Sequence, residues 1–179
     1  MMEKNSNLVF KAFYIIAWVI FVGLSIEAGG LIVNFFFSVF KPEFVGNLYQ
    51  KLDLSKMYQQ SKWAFFGMYS FVIVIAVLKA LLFYGLIALL HKLDLSKPFN
   101  SFVSKKILQL SYYTFSIGVL SHIARETAKN LAHHNYGIDK LNQFWADRQA
   151  FILMAAVIYV IAVIFKKGIE IQNENDLTV

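Results

Sequence analysis

The sequence predicts an all-α integral membrane protein with four transmembrane helices and both termini on the same side. Three observations carry that expectation. Hydrophobic residues fill 58% of the 179 positions and the mean hydropathy is positive, so most of the chain must meet lipid or other helices. The apolar character is gathered into four runs, at about 12–40, 63–90, 102–123 and 150–165, of the order needed to cross a hydrocarbon core of roughly 30 Å at about 1.5 Å of rise per residue. Helix breakers and lysines separate the runs. There is no cysteine, so disulfides, thiolate catalysis and Cys-based metal sites are excluded. The net charge of +6 raises the question of nucleic acid. The lysines cluster beside apolar runs, however, where anchoring to anionic headgroups is the commoner role, and direct nucleic-acid binding is not expected.

The first run, Ala12 to Phe40, is longer than one crossing requires, and Glu27 sits in its middle. With Lys4 and Lys11 ahead of it, the start resembles a secretory signal. The apolar character resumes at Leu31 to Phe37 and the bulky Ile26 would occupy position minus three of a cut after Ala28, so an uncleaved anchor is expected. Lys41-Pro42 ends the helix, because proline disfavours helical geometry in the residue before it. A polar connector to about Lys62 follows, with Phe44, Tyr49, Tyr58 and Trp63 suited to a headgroup region and room for a short amphipathic helix on the surface.

The second run, about Trp63 to Leu90, has Lys79 as its one interior charge, and Ala76 with Ala80 makes a small-xxx-small pair that suits either close helix approach or plain lipid contact. His91 to Asn100 is a tight connector broken by Pro98. Its KLDLSK repeats residues 51–56, an isolated recurrence rather than a repeat architecture. The third run ends near Ile123 with His122 deep in it, and extends as a helix through Arg125, Lys129 and His133 to a stop at Tyr136-Gly137. The next connector carries Phe144 and Trp145, expected as an interfacial pair. The fourth run contains no charge and closes at Lys166-Lys167, ahead of a tail, 166–179, that reads as solvated. The Lys105-Lys106 and Lys166-Lys167 pairs lie at span ends on the side of the short connector, which places both termini in the cytoplasm.

Counting rise from the cytoplasmic ends puts Glu27 about 24 Å in from Lys11, His122 about 24 Å in from Lys106 and Lys79 about 18 Å in from His91. An acid, an amine and an imidazole at similar depth form a candidate polar layer, with Arg125 and Glu126 one turn further out. If the first two helices are neighbours, a Glu27–Lys79 ion pair is within reach. Two readings stand: the pair fixes helix register, or the layer is a ligand or proton site with Glu27 as acceptor and His122 titrating near neutral pH. His133-His134 with Asp139 lacks the spacing of a metal site, and no Walker loop, G-x-S-x-G or dinucleotide fingerprint is present, so neither a metal, a cofactor nor an enzyme is expected.

The chain resembles a family of bacterial membrane proteins called domain of unknown function 2975, which have four predicted spans. The matching features are Lys97-Pro98-Phe99 before the third span, Phe165-Lys166-Lys167-Gly168 at the end of the fourth, and Glu174-Asn175-Asp176-Leu177-Thr178-Val179 after it. Such proteins are often encoded beside a small Cro-like helix-turn-helix regulator. The resemblance therefore implies a membrane partner or antagonist of that regulator in the bacterial inner membrane, with tail residues Glu174, Asp176, Leu177 and Val179 as contacts. It supplies no catalytic residues. Two functions follow: a non-enzymatic sensor or sequestering protein that works through its tail, or a small transporter or immunity protein that works through the polar layer. A homo-oligomer is compatible with either.

Overall fold

Local capping chemistry fixes where the helices begin and end. In the computed structural model, which describes residues 2–93, 99–134 and 136–176, helix α1 runs Met2–Phe40 and stops where Lys41 leaves helical geometry (φ −134°, ψ 88°) ahead of Pro42. Two short 3-10 turns, Pro42–Gly46 and Tyr49–Lys51, lead to α2, Ser55–Gln60. Ser61 then caps α3, Lys62–Lys92, its hydroxyl accepting the Ala64 N–H at 3.3 Å. Asn100 caps α4, Ser101–Ala132, in the same way through Val103 at 2.9 Å. A further 3-10 turn, Asp139–Phe144, precedes α5, Arg148–Asp176. No strand is present among the described residues, although Leu48 and Leu52 form an isolated bridge. The Lys97-Pro98 pair lies outside the described residues.

The long helices pack in chain order, α1 on α3, α3 on α4 and α4 on α5, and each neighbour runs antiparallel to the last. Ring contacts mark the first seam: Tyr14 on His91, Phe21 on Tyr84 and Phe35 on Tyr69, with centroids 6.1, 5.8 and 5.6 Å apart. The second seam sets Gly85 against Leu110 and the Lys92 amine 4.7 Å above the Phe102 ring. In the third, the Ser111 hydroxyl donates to the Ala155 carbonyl at 3.0 Å, and Gly118 meets Ile152 so closely that a Cβ there would lie 2.6 Å from Ile152 Cγ1 and 3.3 Å from the Arg148 carbonyl oxygen. Only a residue without a side chain admits that approach.

Three helices are long and apolar enough to cross a membrane: Leu8–Phe40, Lys62–Lys92 and the helix within Lys140–Asn175. Their outward surfaces, such as Phe13, Val19, Ile26 and Phe36 on α1 or Leu153, Val157 and Ile164 on α5, are exposed and compatible with contact to a lipid bilayer. Polar side chains on α1 spend their hydrogen bonds on its own backbone, Ser25 to Phe21 and Asn34 to Gly30, both at 2.7 Å. Each thereby satisfies a donor within the helix instead of presenting it to the outer surface. α4 is more polar, and it buries Ser111, Thr114 and Ser121.

The connectors depart from expectation. Instead of lying on a surface, residues 42–61 and 136–147 fold over the starts of α3 and the end of α4 as a cap with its own core. Val45, Leu48, Leu52, Leu54 and Met57 from one connector and Leu141 and Trp145 from the other are each no more than 2% exposed, clustered with Phe65, Met68 and Tyr69. Phe144 and Trp145 are therefore core rather than an interfacial pair, and the Trp145 indole N–H donates to Asn142 Oδ1 at 3.3 Å. Trp63, 88% exposed, keeps the outward role expected of it. Gly137 takes the left-handed φ of +65° where the second connector turns.

Candidate functional site: a cleft between three helices

Seam contacts align the helices in height. Glu27 lies between the Phe21–Tyr84 and Phe35–Tyr69 contacts, which brings it level with Lys79 on the neighbouring helix. The two nonetheless do not pair: among the described residues the ion pairs are Lys129–Glu126 and Lys167–Glu170. The Lys79 amine turns the other way, to a position 5.9 Å from the centre of the Phe151 ring on α5. Glu27 is half-buried on α1 without a hydrogen-bond partner. Glu27 and Lys79 thus share a height without the expected ion pair among the described residues. Counting rise gives height along a helix but not azimuth, and Lys79 projects toward α5 while Glu27 stays with α1.

His122 also leaves the layer. It is exposed on α4, one turn from Glu126, and Arg125 and Glu126 are half-buried on the same helix end. The Lys129 ammonium donates to Glu126 at 2.8 Å and holds its carboxyl below the usual carboxylate range, with His122 and Arg125 adding to the effect. These groups form a local charged end to α4.

A cleft of about 400 Å³ lies between α3, α4 and α5, and although Lys79 is not part of its lining, its amine stands beside Phe151, which is. Leu82 and Leu86 form one wall, Phe151, Met154 and Ile158 the other, and Leu110 and Thr114 the floor. The Thr114 hydroxyl donates to the Leu110 carbonyl at 2.8 Å, so it presents no free donor to the space. Asp147 stands at one end. Its carboxylate makes no ion pair or side-chain hydrogen bond in the described structure and is exposed. The volume lies in the range of small-molecule sites, about 300–1,000 Å³, and the opposite charges sit at a single end.

No family model, curated protein or solved structure matches this chain. The site is therefore read from its own geometry. Sequence reasoning found Lys79 but missed Asp147 and the Phe151, Met154, Ile158 stripe. The stripe follows helical spacing, i, i+3 and i+7, yet α5 is apolar on every side through this stretch, so no face stood out.

The tail candidates divide. Glu174 lies within α5 and Asp176 ends it, while Leu177 and Val179 are outside the described residues. The tail read as solvated chain is, through Asp176, a continuation of α5. Gly168 does not interrupt the helix. It accommodates the Phe99 ring, whose Cδ1 and Cε1 would be 2.6 Å from a Cβ there, and Phe99 also packs on Phe165 at 5.3 Å. Beyond that clamp the Lys167 ammonium donates to Glu170 at 2.6 Å, raising its own pKa and lowering that of the Glu170 carboxyl.

Proposed function

We propose that this chain is a four-span protein of the bacterial inner membrane with both termini in the cytoplasm, and that it acts without catalysis as a sensor or sequestering partner of a small helix-turn-helix regulator. Support for the fourth span comes from α4's position between α3 and α5. Its serine and threonine side chains are turned inward, which removes the penalty that its composition alone suggests. The antiparallel order then puts the start of α1 and the end of α5 on one side, together with Lys92, Lys105, Lys106, Lys166 and Lys167, the arrangement favoured at a cytoplasmic face.

The observation that carries the functional proposal is the continuity of α5. One unbroken helix lines the cleft with Phe151, Met154 and Ile158 and continues past the Phe99 clamp to Glu170 and Glu174. A ligand that favours one position of α5 in the membrane shifts the population of tail positions beyond it, by as much as its affinities for the two differ. The Phe99 clamp also joins the two segments that carry the family resemblance. The alternative, a small transporter or immunity protein, relied on an assembled Glu27, Lys79 and His122 layer and loses that support.

Affinity capture from gently solubilised membranes tests the proposal by comparing the full chain with one ending at Gly168. A small DNA-binding protein retained by the full chain alone is the expected result. Equal recovery from both chains, or its absence from both, would overturn the assignment of the tail.

A further inference from the structure

We propose that the cleft between α3, α4 and α5 holds one acyl chain of a zwitterionic glycerophospholipid of the phosphoethanolamine type, with Lys79 on its phosphate and Asp147 on its ammonium. The inference rests on the membrane placement above and is independent of any regulator. Three features select this occupant.

The first is length. Below the charged mouth at Asp147 and Phe151, the apolar part of the cleft follows α5 to Ile158 for about 10 Å, about two thirds of the roughly 15 Å depth of one leaflet. The second is polarity: walls and floor are apolar, and the Thr114 hydroxyl is bonded to its own helix, so the interior suits a hydrocarbon tail and offers nothing to a polar solute.

The third is the order of charges at the mouth. Lys79 is level with Phe151, and Asp147 lies one turn further out along α5, about 6 Å. In a phosphoethanolamine headgroup the phosphate is nearer the glycerol and the ammonium beyond it. A lysine within and a carboxylate outside therefore meet the two charges in sequence. A phosphoglycerol headgroup would satisfy Lys79 but offer Asp147 only neutral hydroxyls and no counter-charge. A free fatty acid would reach Lys79 and leave Asp147 with no counter-charge. Among the described residues neither has an ion-pair partner, so each is available to a ligand.

The test uses the full chain in nanodiscs containing equal amounts of palmitoyl-oleoyl phosphatidylethanolamine and phosphatidylglycerol, released into mild detergent and read by native mass spectrometry. The expected result is preferential retention of phosphatidylethanolamine. Ala150→Trp, which fills the cleft from an exposed lining position, should reduce that retention about tenfold, and Lys79→Gln with Asp147→Asn should abolish the preference between headgroups. Leu86→Trp, from the opposite wall, repeats the blocking experiment should the first variant fold poorly. Equal retention of both lipids by the wild type, retention of phosphatidylglycerol or fatty acid instead, or retention unchanged in a folded blocking variant would each overturn the proposal. Failure of the membrane placement would show separately, as a chain recovered from cells without detergent.

Discussion

Along α1 and α3 the contacts are between rings, whereas along α4 and α5 they are between small residues and backbone. Tyr14, Phe21 and Phe35 keep the first pair of helices apart by the thickness of stacked or tilted aromatics. Ser111, Gly118 and Ala155 let the second pair come together until a side-chain hydroxyl reaches the neighbouring main chain. Lipid tails are as apolar as leucine, so within a membrane neither seam gains much from hiding hydrocarbon. Ring seams gain dispersion and quadrupole interactions, while small-residue seams gain from many close contacts and from hydrogen bonds made without water as a competitor. The difference explains how α4, the most polar long helix, can be packed between two neighbours as the apolar α3 is: its buried serines, threonine and glycine are what let it be enclosed.

The comparison can be broken most decisively at Gly118. Gly118→Val should cost about 3 kcal/mol, because the clash is with Ile152 and main-chain atoms that cannot swing aside, and a thermal scan in micelles should show the loss. The ring seam should be more forgiving. Phe35→Ala removes two aromatic partners, Phe66 and Tyr69, and is expected to cost about 2 kcal/mol by the same scan.

A change of sign is expected one residue away. The Tyr69 hydroxyl is buried with no hydrogen-bond partner, so Tyr69→Phe should keep the stacking and raise stability by about 1 kcal/mol. Ser111→Ala should cost the least of the seam changes, about 0.6 kcal/mol, since it deletes one interhelical bond to a carbonyl within a helix. Smallest of all is a control outside both seams. The Ser55 N–H, donating to Asp53 at 3.0 Å, lowers that carboxyl's pKa, so its small contribution to the cap is present above the unfolded-state value and is lost as the pH falls through the folded one. Asp53→Asn should remove this acid-side loss from the melting profile and leave the response of both seams unchanged.

Helix existence was legible in the sequence because it depends on local signals. Lys41-Pro42 and Gly137 punctuate the chain where their backbone chemistry dictates, and the apolar runs between the breakers have no competing period, whereas the Ser61 and Asn100 caps emerged only from the structure. The cap was not legible. Val45, Leu48 and Leu52 have helical spacing but fall within or beside 3-10 turns after Pro42, Leu54 and Met57 break that period, and the residues that help bury them, Leu141 and Trp145, belong to a connector in a different part of the chain. The candidate site was legible in part. Lys79 stood out as a charge inside an apolar run, but the choice between Glu27 and Phe151 as its neighbour depends on how α3 is rotated, which a nearly uniform apolar surface does not encode. Asp147 had no signal, since an acid just before a helix is ordinary sequence.

The cap also sets a schedule. Its first half, through Met57, leaves the ribosome about 80 residues before Ile138 and its companions, a delay of roughly 4–16 s at ordinary rates of synthesis. During that interval five apolar side chains have only α1 and the start of α3 to cover them. The chain therefore waits for its own second connector to be made and delivered to the same face, and until then it exposes a surface that the finished fold no longer displays.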